Sequence, residues 1–497
     1  MNINDIRQLL LRGERITLEC KEAQKSIPKS VWESYSAFAN TIGGTILLGV
    51  KEDQKEVDPA KRFTITGVED SLKMKKEFWD TINSNKVNAN ILMEADVDVI
   101  QVDGKDIVYI NVPQADWRVK PVFLNENVYK GTYKRNHEGD YHCTESEIKA
   151  MIRDANEDGN DGALLEGYTM DDVDLNTLHG YRVQFRTLNA DHVWNDVDDK
   201  TFLKNLAGYT VDRTTGREGL TVAGLLMFGK GLSVSERFAN FRMDYLDMTH
   251  LVGEERYSDR LTYDGRWENN LYQFFRIVMP KLTFDLPRPF KMEGIQRQDD
   301  TLQHKAVREA FTNAIIHSDV FVSGGILRIE KHDDCLVLRN PGTLKLPIAK
   351  IIEGGNSKAR NPRMQNMLRM VGYGENIGSG FPKILSAWQK AGWNAPLLEN
   401  KLDIQEVQLT MFIPKVNEQE NVHDNVHDNV HDDVHDGLTE RQRIILDIIK
   451  SNDVITLAQM STIVGVSKKT IQRDIALMHN IVKRVGGEKN GHWEIVG

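Results

Sequence analysis

Glu309, Asn313 and His317 fall four residues apart in the stretch EAFTNAIIH, so a helix there stacks them in one row. Those three residue types can do chemistry together. A carboxylate can orient or deprotonate a water, and an amide oxygen can ligate a Mg²⁺ held by phosphates. The imidazole would close the end of the row and face the same pocket. Two readings stand side by side. The row is either the solvated face of a helix that buries Phe311, Ala314 and Ile315, or one wall of a nucleotide pocket.

Two glycine-bearing loops follow. RNPG, Arg339 to Gly342, ends an expected strand, CLVLRNPG. GENIGSGF, Gly374 to Phe381, precedes an expected helix, KILSAWQKAG. Gly378, Ser379 and Gly380 there leave backbone N–H groups free to approach phosphate oxygens at a helix start. An earlier stretch, GLLMFGKG, nearly matches the phosphate-loop pattern. Its last position is Gly231, which has no hydroxyl for Mg²⁺, and its Leu-Leu-Met-Phe interior suits a buried strand ending in a turn.

Taken in order, REAFTNAIIHSD, LRNPG, SKARNP and GENIGSG resemble the GHKL ATPases of the Bergerat fold, in a bacterial branch found among transcriptional regulators. The resemblance implies ATP and Mg²⁺ as cofactors, with Glu309 as the water-activating base and Asn313 as the Mg²⁺ ligand. It places Arg360 and Asn361 near the phosphates. Asn340 stands where the family has its adenine-reading Asp, and Gly342 belongs to the same binding loop.

The elements that must carry these residues are legible upstream too. KSVWESYSAFANT reads as a helix and GGTILLGV as a buried strand. VDVIQVDGKDIVYINVP reads as two strands joined at Asp103-Gly104. Glu14, Glu19-x-Lys21, Ala37-Phe38-Ala39-Asn40, Gly43-Gly44, Gly49-Val50 and Asp53 resemble the AlbA-2 domain shared by Schlafen proteins and bacterial regulators. That resemblance implies nucleic-acid binding. It also matches Glu14, Glu19 and Asp53 to a metal-dependent RNA-cleaving centre, where three carboxylates could hold Mg²⁺ or Mn²⁺. From the residues alone, Glu19 and Lys21 are equally the polar face of a strand and Asp53 a turn residue. Lys21, Lys25, Lys134 and Arg135 are candidate phosphate contacts, with Lys130 beside them.

The C-terminal stretch predicts helix, helix, tight turn, helix and hairpin: LTERQRIILDIIKS, TLAQMSTIVG, SKKTIQRDIALMHN and a last strand HWEIV. SKKTIQRDI resembles the DeoR-like winged-helix regulators. Lys468, Lys469, Thr470 and Arg473 would meet phosphates or a groove. Residues 438–497 carry nine Lys and Arg against six Asp and Glu, so this piece is basic inside a chain of net charge −10. A winged helix used for protein contacts is the other reading.

The expected architecture is α/β and multidomain: an AlbA-2 domain over 1–155, a turn-rich boundary at DANEDGND and a connecting α/β region over 162–295. A Bergerat-type α/β sandwich over 296–415, a linker over 416–437 and a winged helix-turn-helix over 438–497 complete it. The linker holds NVHDNVHDNVHDDVHD, a four-residue period with one small apolar residue per repeat, which suits a flexible spacer. Its histidines, His423, His427, His431 and His435, could bind metal only if the segment were helical.

With 497 residues the chain is too long for one core. It has no apolar run of about 18 residues, which argues against a membrane span. The three widely spaced cysteines and the absence of a signal-peptide pattern suit a cytoplasmic protein. The net acidity argues against a surface that binds nucleic acid everywhere. The expectation is an ATP-binding regulator that binds DNA or RNA as a homo-oligomer, with nucleotide state setting its grip. The alternative is a Schlafen-like nuclease acting in defence, gated by the ATPase. A scaffold that has lost both activities is a third reading.

Overall fold

The computed structural model describes residues 3–12, 16–53, 55–56, 58–287, 292–293, 296–297, 300–355, 358–374, 380–414, 440–451, 453–464, 468–478, 481–485 and 492–495. The chain forms two compact units, Met1–Val416 and Asn417–Gly497.

The first unit begins with helix α1 (Ile3–Arg12) and a four-stranded sheet. Its strands are β1 (Leu18–Lys21), β2 (Gly44–Leu48), β3 (Val97–Val102) and β4 (Lys105–Val112), in the order β1-β2-β4-β3. β1 lies parallel to β2, and the other neighbours are antiparallel. The β3–β4 turn carries Asp103 at φ 51° and Gly104 at φ 75°, the positive pair that a two-residue hairpin needs. Strand alternation covers both faces. Ile46, Leu48, Val108 and Ile110 pack with Val31, Trp32, Tyr35 and Phe38 of helix α2 (Ser30–Asn40). Leu47, Ile107 and Tyr109 face the other way, toward Ile6 and Leu10 of α1. Helix α3 (Glu145–Asp154) follows, opened by a capping box between Thr144 and Glu147.

GLLMFGKG departs from its expected strand. Val222–Phe228 is a helix, α4, capped by the Thr221 hydroxyl accepting from the Gly224 amide at 3.1 Å. Every residue of α4 is buried. An apolar run buried all round has no polar phase, so its periodicity cannot separate helix from strand. Gly224 is required where it lies, because a Cβ there would overlap the Gly208 carbonyl.

A six-stranded mixed sheet organises the rest of the unit. In chain order the elements are β5 (Arg242–Asp247), β6 (Asp259–Thr262), α5 (Leu271–Thr283), α6 (Leu302–Ile316), β7 (Ile326–Lys331), β8 (Cys335–Pro341), α7 (Pro362–Met370), α8 (Gly380–Lys390), β9 (Leu397–Lys401) and β10 (Glu406–Phe412). The strand order is β6-β5-β7-β8-β10-β9, and β5–β7 is the parallel pair. Helix α6 carries the polar row. It packs on β8, α5 and α8, with Phe311 stacked on Phe275 at 4.8 Å between ring centres. One core runs from Leu165 to Met411. Residues 162–295 and 296–415 share it, and β5 and β6 join the sheet from the earlier stretch, so packing is continuous across residue 295.

The second unit contains helices α9 (Glu440–Ser451), α10 (Leu457–Val464) and α11 (Lys468–Leu477), then an antiparallel pair, β11 (Val482–Val485) and β12 (His492–Ile495). Ile445, Ile449, Met460, Ile471, Val482 and Trp493 form its core. The Trp493 indole donates to the Ile455 carbonyl at 2.8 Å, tying the hairpin to the start of α10.

Candidate functional site

Helix α6 starts where the Thr301 hydroxyl caps the His304 amide. Its apolar residues Val307, Ala310, Phe311 and Ile315 are buried in the shared core. The helical period then turns Glu309, Asn313 and His317 together toward a cavity. Leu338, Leu398, Val407 and Leu409 of the sheet form an apolar floor, and Phe381 and Ile384 of α8 form a side. An apolar slab with polar groups at its margins suits a flat heterocycle bearing a charged tail.

The polar groups are only partly used by the protein. Asn313 donates its amide to Glu309 Oε1 at 3.2 Å, which leaves the amide oxygen as the atom suited to a cation. Burial pushes the Glu309 carboxyl above its usual range, the direction a general base needs. Asn340 is 5% exposed, and its Nδ2 has no hydrogen-bond partner among the described residues. A buried unpaired donor is costly, and a ligand acceptor in the cavity would relieve it. Burial, with help from the Arg360 and Lys345 charges, pulls His317 down to about 4, so it lines the cavity as a neutral ring. Gly380 opens α8 directly against the row, where a Cβ would overlap the Glu309 carboxylate. Gly378 and Ser379 lie outside the described residues.

Arg360 and Asn361 take a different role from the expected phosphate contact. The last carbonyls of a helix lack intrahelical donors, and this pair supplies them. The Asn361 amide N–H reaches Ile316 O at 2.9 Å, and its side chain donates to Ser318 O at 2.8 Å. Arg360 donates to His317 O, to Thr343 O at 2.8 Å and to both Asp154 oxygens at 2.7 and 2.8 Å. Both residues are buried. Arg360 borders the cavity, but its guanidinium is committed to bracing the end of α6. Gly342, at φ 106°, allows this approach, since a Cβ there would sit 2.7 Å from Arg360 Nη1.

Sequence spacing missed Asp154, the partner of Arg360, and the cavity-lining Lys345 and Lys358. Asp154 ends α3, 206 residues from Arg360, and no local pattern links them. Burial raises its carboxyl most, but the charge and hydrogen bonds of Arg360, with the Lys345 and Arg153 charges, together hold it below the usual range.

The N-terminal candidates are arranged otherwise. Glu19 is buried and pairs with Lys21 at 2.5 Å and Arg135 at 2.7 Å. Arg135 also pairs with Asp140 at 2.9 Å and donates to Leu18 O. The expected phosphate contact at Arg135 is therefore a buried internal cation. Lys134 pairs with Glu147 at 2.5 Å. Lys25 is exposed, 3.5 Å from Glu69. Asp53 is exposed beyond the strand Val50–Glu52 and accepts from the Lys55 amide, a turn role. Glu14 lies outside the described residues. Among the described residues no three His, Cys, Asp or Glu side chains gather as a metal site.

In the second unit Lys468, Lys469, Thr470 and Arg473 fall on α11, with Lys468 exposed at its start. The NVHD repeat and its histidines lie outside the described residues. No helix among the described residues is long and apolar enough to cross a membrane.

Comparison with known families agrees with the two resemblances drawn from motifs. Residues 14–144 match the family model described as "Schlafen, AlbA_2". Residues 324–411 match "Putative ATP-dependent DNA helicase recG C-terminal". Residues 149–244 match a domain of unknown function, DUF8451. A comparison with curated proteins returned no match. Among solved structures, the chain is similar to the DIP2311 protein from Corynebacterium diphtheriae, at 15% identity and TM-score 0.40 over 99% of each chain. It is also similar to the N-terminal domain of a RecG-related protein from Nitrosomonas europaea, at 26% identity and TM-score 0.23, covering 29% of this chain and 94% of that one.

Proposed function

We propose that this chain is an ATP-binding, nucleic-acid-associated regulator whose nucleotide occupies the cavity along α6. The observation that carries this reading is the partly committed polar row above an apolar floor, with the Asn340 donor, unpaired among the described residues, at its edge. The two domain matches, Schlafen AlbA_2 and recG C-terminal, support it from outside the geometry.

In this reading the heterocycle lies on Leu338, Leu398 and Leu409, with the Asn340 side chain at its edge. Asn313 would hold Mg²⁺ through its amide oxygen, and the ion would supply charge neutralisation at the phosphates. Glu309 accepts a proton from the attacking water. Gly380 lets the start of α8 approach the phosphates. Nucleotide state then shifts how the Schlafen-like module and the C-terminal helices, read as a winged helix, hold DNA or RNA in a cytoplasmic homo-oligomer.

The nuclease reading has less behind it. It needs Glu19 as a free carboxylate, and Lys21 and Arg135 already neutralise it. ATP binding by the purified chain, measured by equilibrium dialysis with and without Mg²⁺, tests the proposal. Binding that Mg²⁺ strengthens and Asn313→Ala weakens about 100-fold is expected. Equal affinity in the variant removes the pocket assignment. Cleavage of labelled tRNA by the wild type that Glu19→Ala abolishes would restore the nuclease reading.

A further inference from the structure

A second, larger cavity of about 650 Å³ opens between the Schlafen-like module and the β9–β10 end of the six-stranded sheet. It is lined by Lys120, Lys134 and Trp117 from one side and by Lys345, Lys401 and Asp403 from the other. Thr343, Leu344 and Lys345 border both this cleft and the α6 cavity, whereas Lys120, Trp117 and Lys401 line this cleft alone.

Its lining is basic on balance once internal pairs are set aside, with Lys401 paired to Glu406 and Asp403 the one remaining carboxylate. Glu147 is taken by Lys134, and Asp154 is taken by Arg360. Lys120 and Lys345 remain. Neither has a carboxylate within 4.0 Å among the described residues. Lys120 donates to the Asn40 carbonyl at 2.7 Å, and Lys345 sits 4.3 Å above the Trp117 ring. Burial pulls both ammonium groups down to about 8. Two partly desolvated cations thus share one cleft with no ion-pair partner within 4.0 Å among the described residues, and the Asp154 charge offsets their burial only in part.

The shape of the charge narrows the anion. The cleft's arginine, Arg135, is already committed to Glu19 and Asp140, so an incoming anion meets lysines. Lysine ammoniums bind phosphate as compact point charges, and two of them in one cleft suit an anion of more than one negative charge. The volume exceeds what a lone inorganic phosphate fills and falls in the range of small-ligand sites. Trp117 is buried beneath Lys345, so the cleft offers charge rather than an open stacking platform.

We propose that this cleft is a second binding site for a nucleotide-sized phosphate ester, held by Lys120 and Lys345 with Lys401 at the rim. The ester is either a free nucleotide or the phosphorylated end of a nucleic-acid strand. Lys120 does not line the α6 cavity, so the two sites are separable by mutation.

The test uses the full chain and three probes: pyrophosphate, AMP and 5′-phosphorylated tetrathymidylate, each followed by calorimetry. Lys120→Met is expected to weaken probe binding about tenfold or more, to leave ATP affinity unchanged, and Lys120→Arg to restore the probe. AMP binding as tightly as the oligonucleotide identifies a free nucleotide. A marked preference for the oligonucleotide identifies a strand end. Wild-type protein that binds none of the probes, or a Lys120→Met chain that binds them as wild type does, overturns the proposal. Should Lys120→Met fail to fold, acetylation of the wild type read by mass spectrometry decides. Pyrophosphate is expected to slow labelling of Lys120 while leaving the exposed Lys25 unchanged, and an unprotected Lys120 overturns the site.

Discussion

The α6 cavity and the Glu19 cluster of the N-terminal module are built from the same kinds of side chain, put to opposite use. In the cluster, Glu19 pairs with Lys21 and Arg135, Arg135 also pairs with Asp140, and Lys134 pairs with Glu147, all at 2.5 to 2.9 Å. In the cavity, Asn340 Nδ2 has no hydrogen-bond partner among the described residues, and burial works against the charge on Glu309. Polar groups spent on each other stabilise a fold, whereas polar groups held at a cost are available to a ligand. Residue type and spacing alone nominate both regions equally. Only the partner of each atom separates them.

That contrast can be broken by mutation. Arg135→Met removes one side of a buried ion cluster and is expected to cost about 3–5 kcal/mol of stability, read by denaturant unfolding, with ATP affinity of the surviving folded chain unchanged. A stable Arg135→Met chain with weakened ATP binding would reverse the assignment of the two regions. Asn313→Ala should do the opposite, lowering Mg-ATP affinity about 100-fold, or ~2.7 kcal/mol, with little change in unfolding.

Glu309→Gln sharpens the comparison by sign. It relieves a buried carboxylate, so the melting temperature should rise, while turnover falls on the order of 100-fold at unchanged ATP affinity. A fall in melting temperature would place Glu309 among the structural residues.

His317 gives a pH signature for the cavity. It keeps its neutral form in the fold down to about pH 4, whereas an unfolded histidine takes its proton near 6.5. The contribution is therefore complete above pH 6.5 and lost as pH falls toward 4, by up to about 3 kcal/mol. His317→Gln should flatten that part of the stability profile. Smallest of all, Lys25→Ala should change stability by less than about 0.5 kcal/mol, because its pair with Glu69 is exposed.

Local rules carried the sequence reading far. The i, i+4 row on α6 and the Asp103-Gly104 hairpin each follow from one short stretch, and both stand in the structure. GLLMFGKG failed because uniform burial erases the phase that distinguishes helix from strand. SKARNP was legible as a motif but not in role. Arg360 and Asn361 brace the end of α6, and the carboxylate that fixes Arg360 lies 206 residues away. Lys120 and Lys345 had no signal at all, since their shared cleft exists only once the modules meet.

The central claim is that a nucleotide lies along α6 with its ring on the sheet. Photolabelling with 8-azido-ATP in Mg²⁺, followed by peptide mapping, tests it most directly. Label is expected in β8, β9 or β10, around Asn340, Leu398 and Leu409, and is expected to be lost in competition with ATP. ATP-protected label confined to the N-terminal sheet or to the α9–α11 unit would contradict it.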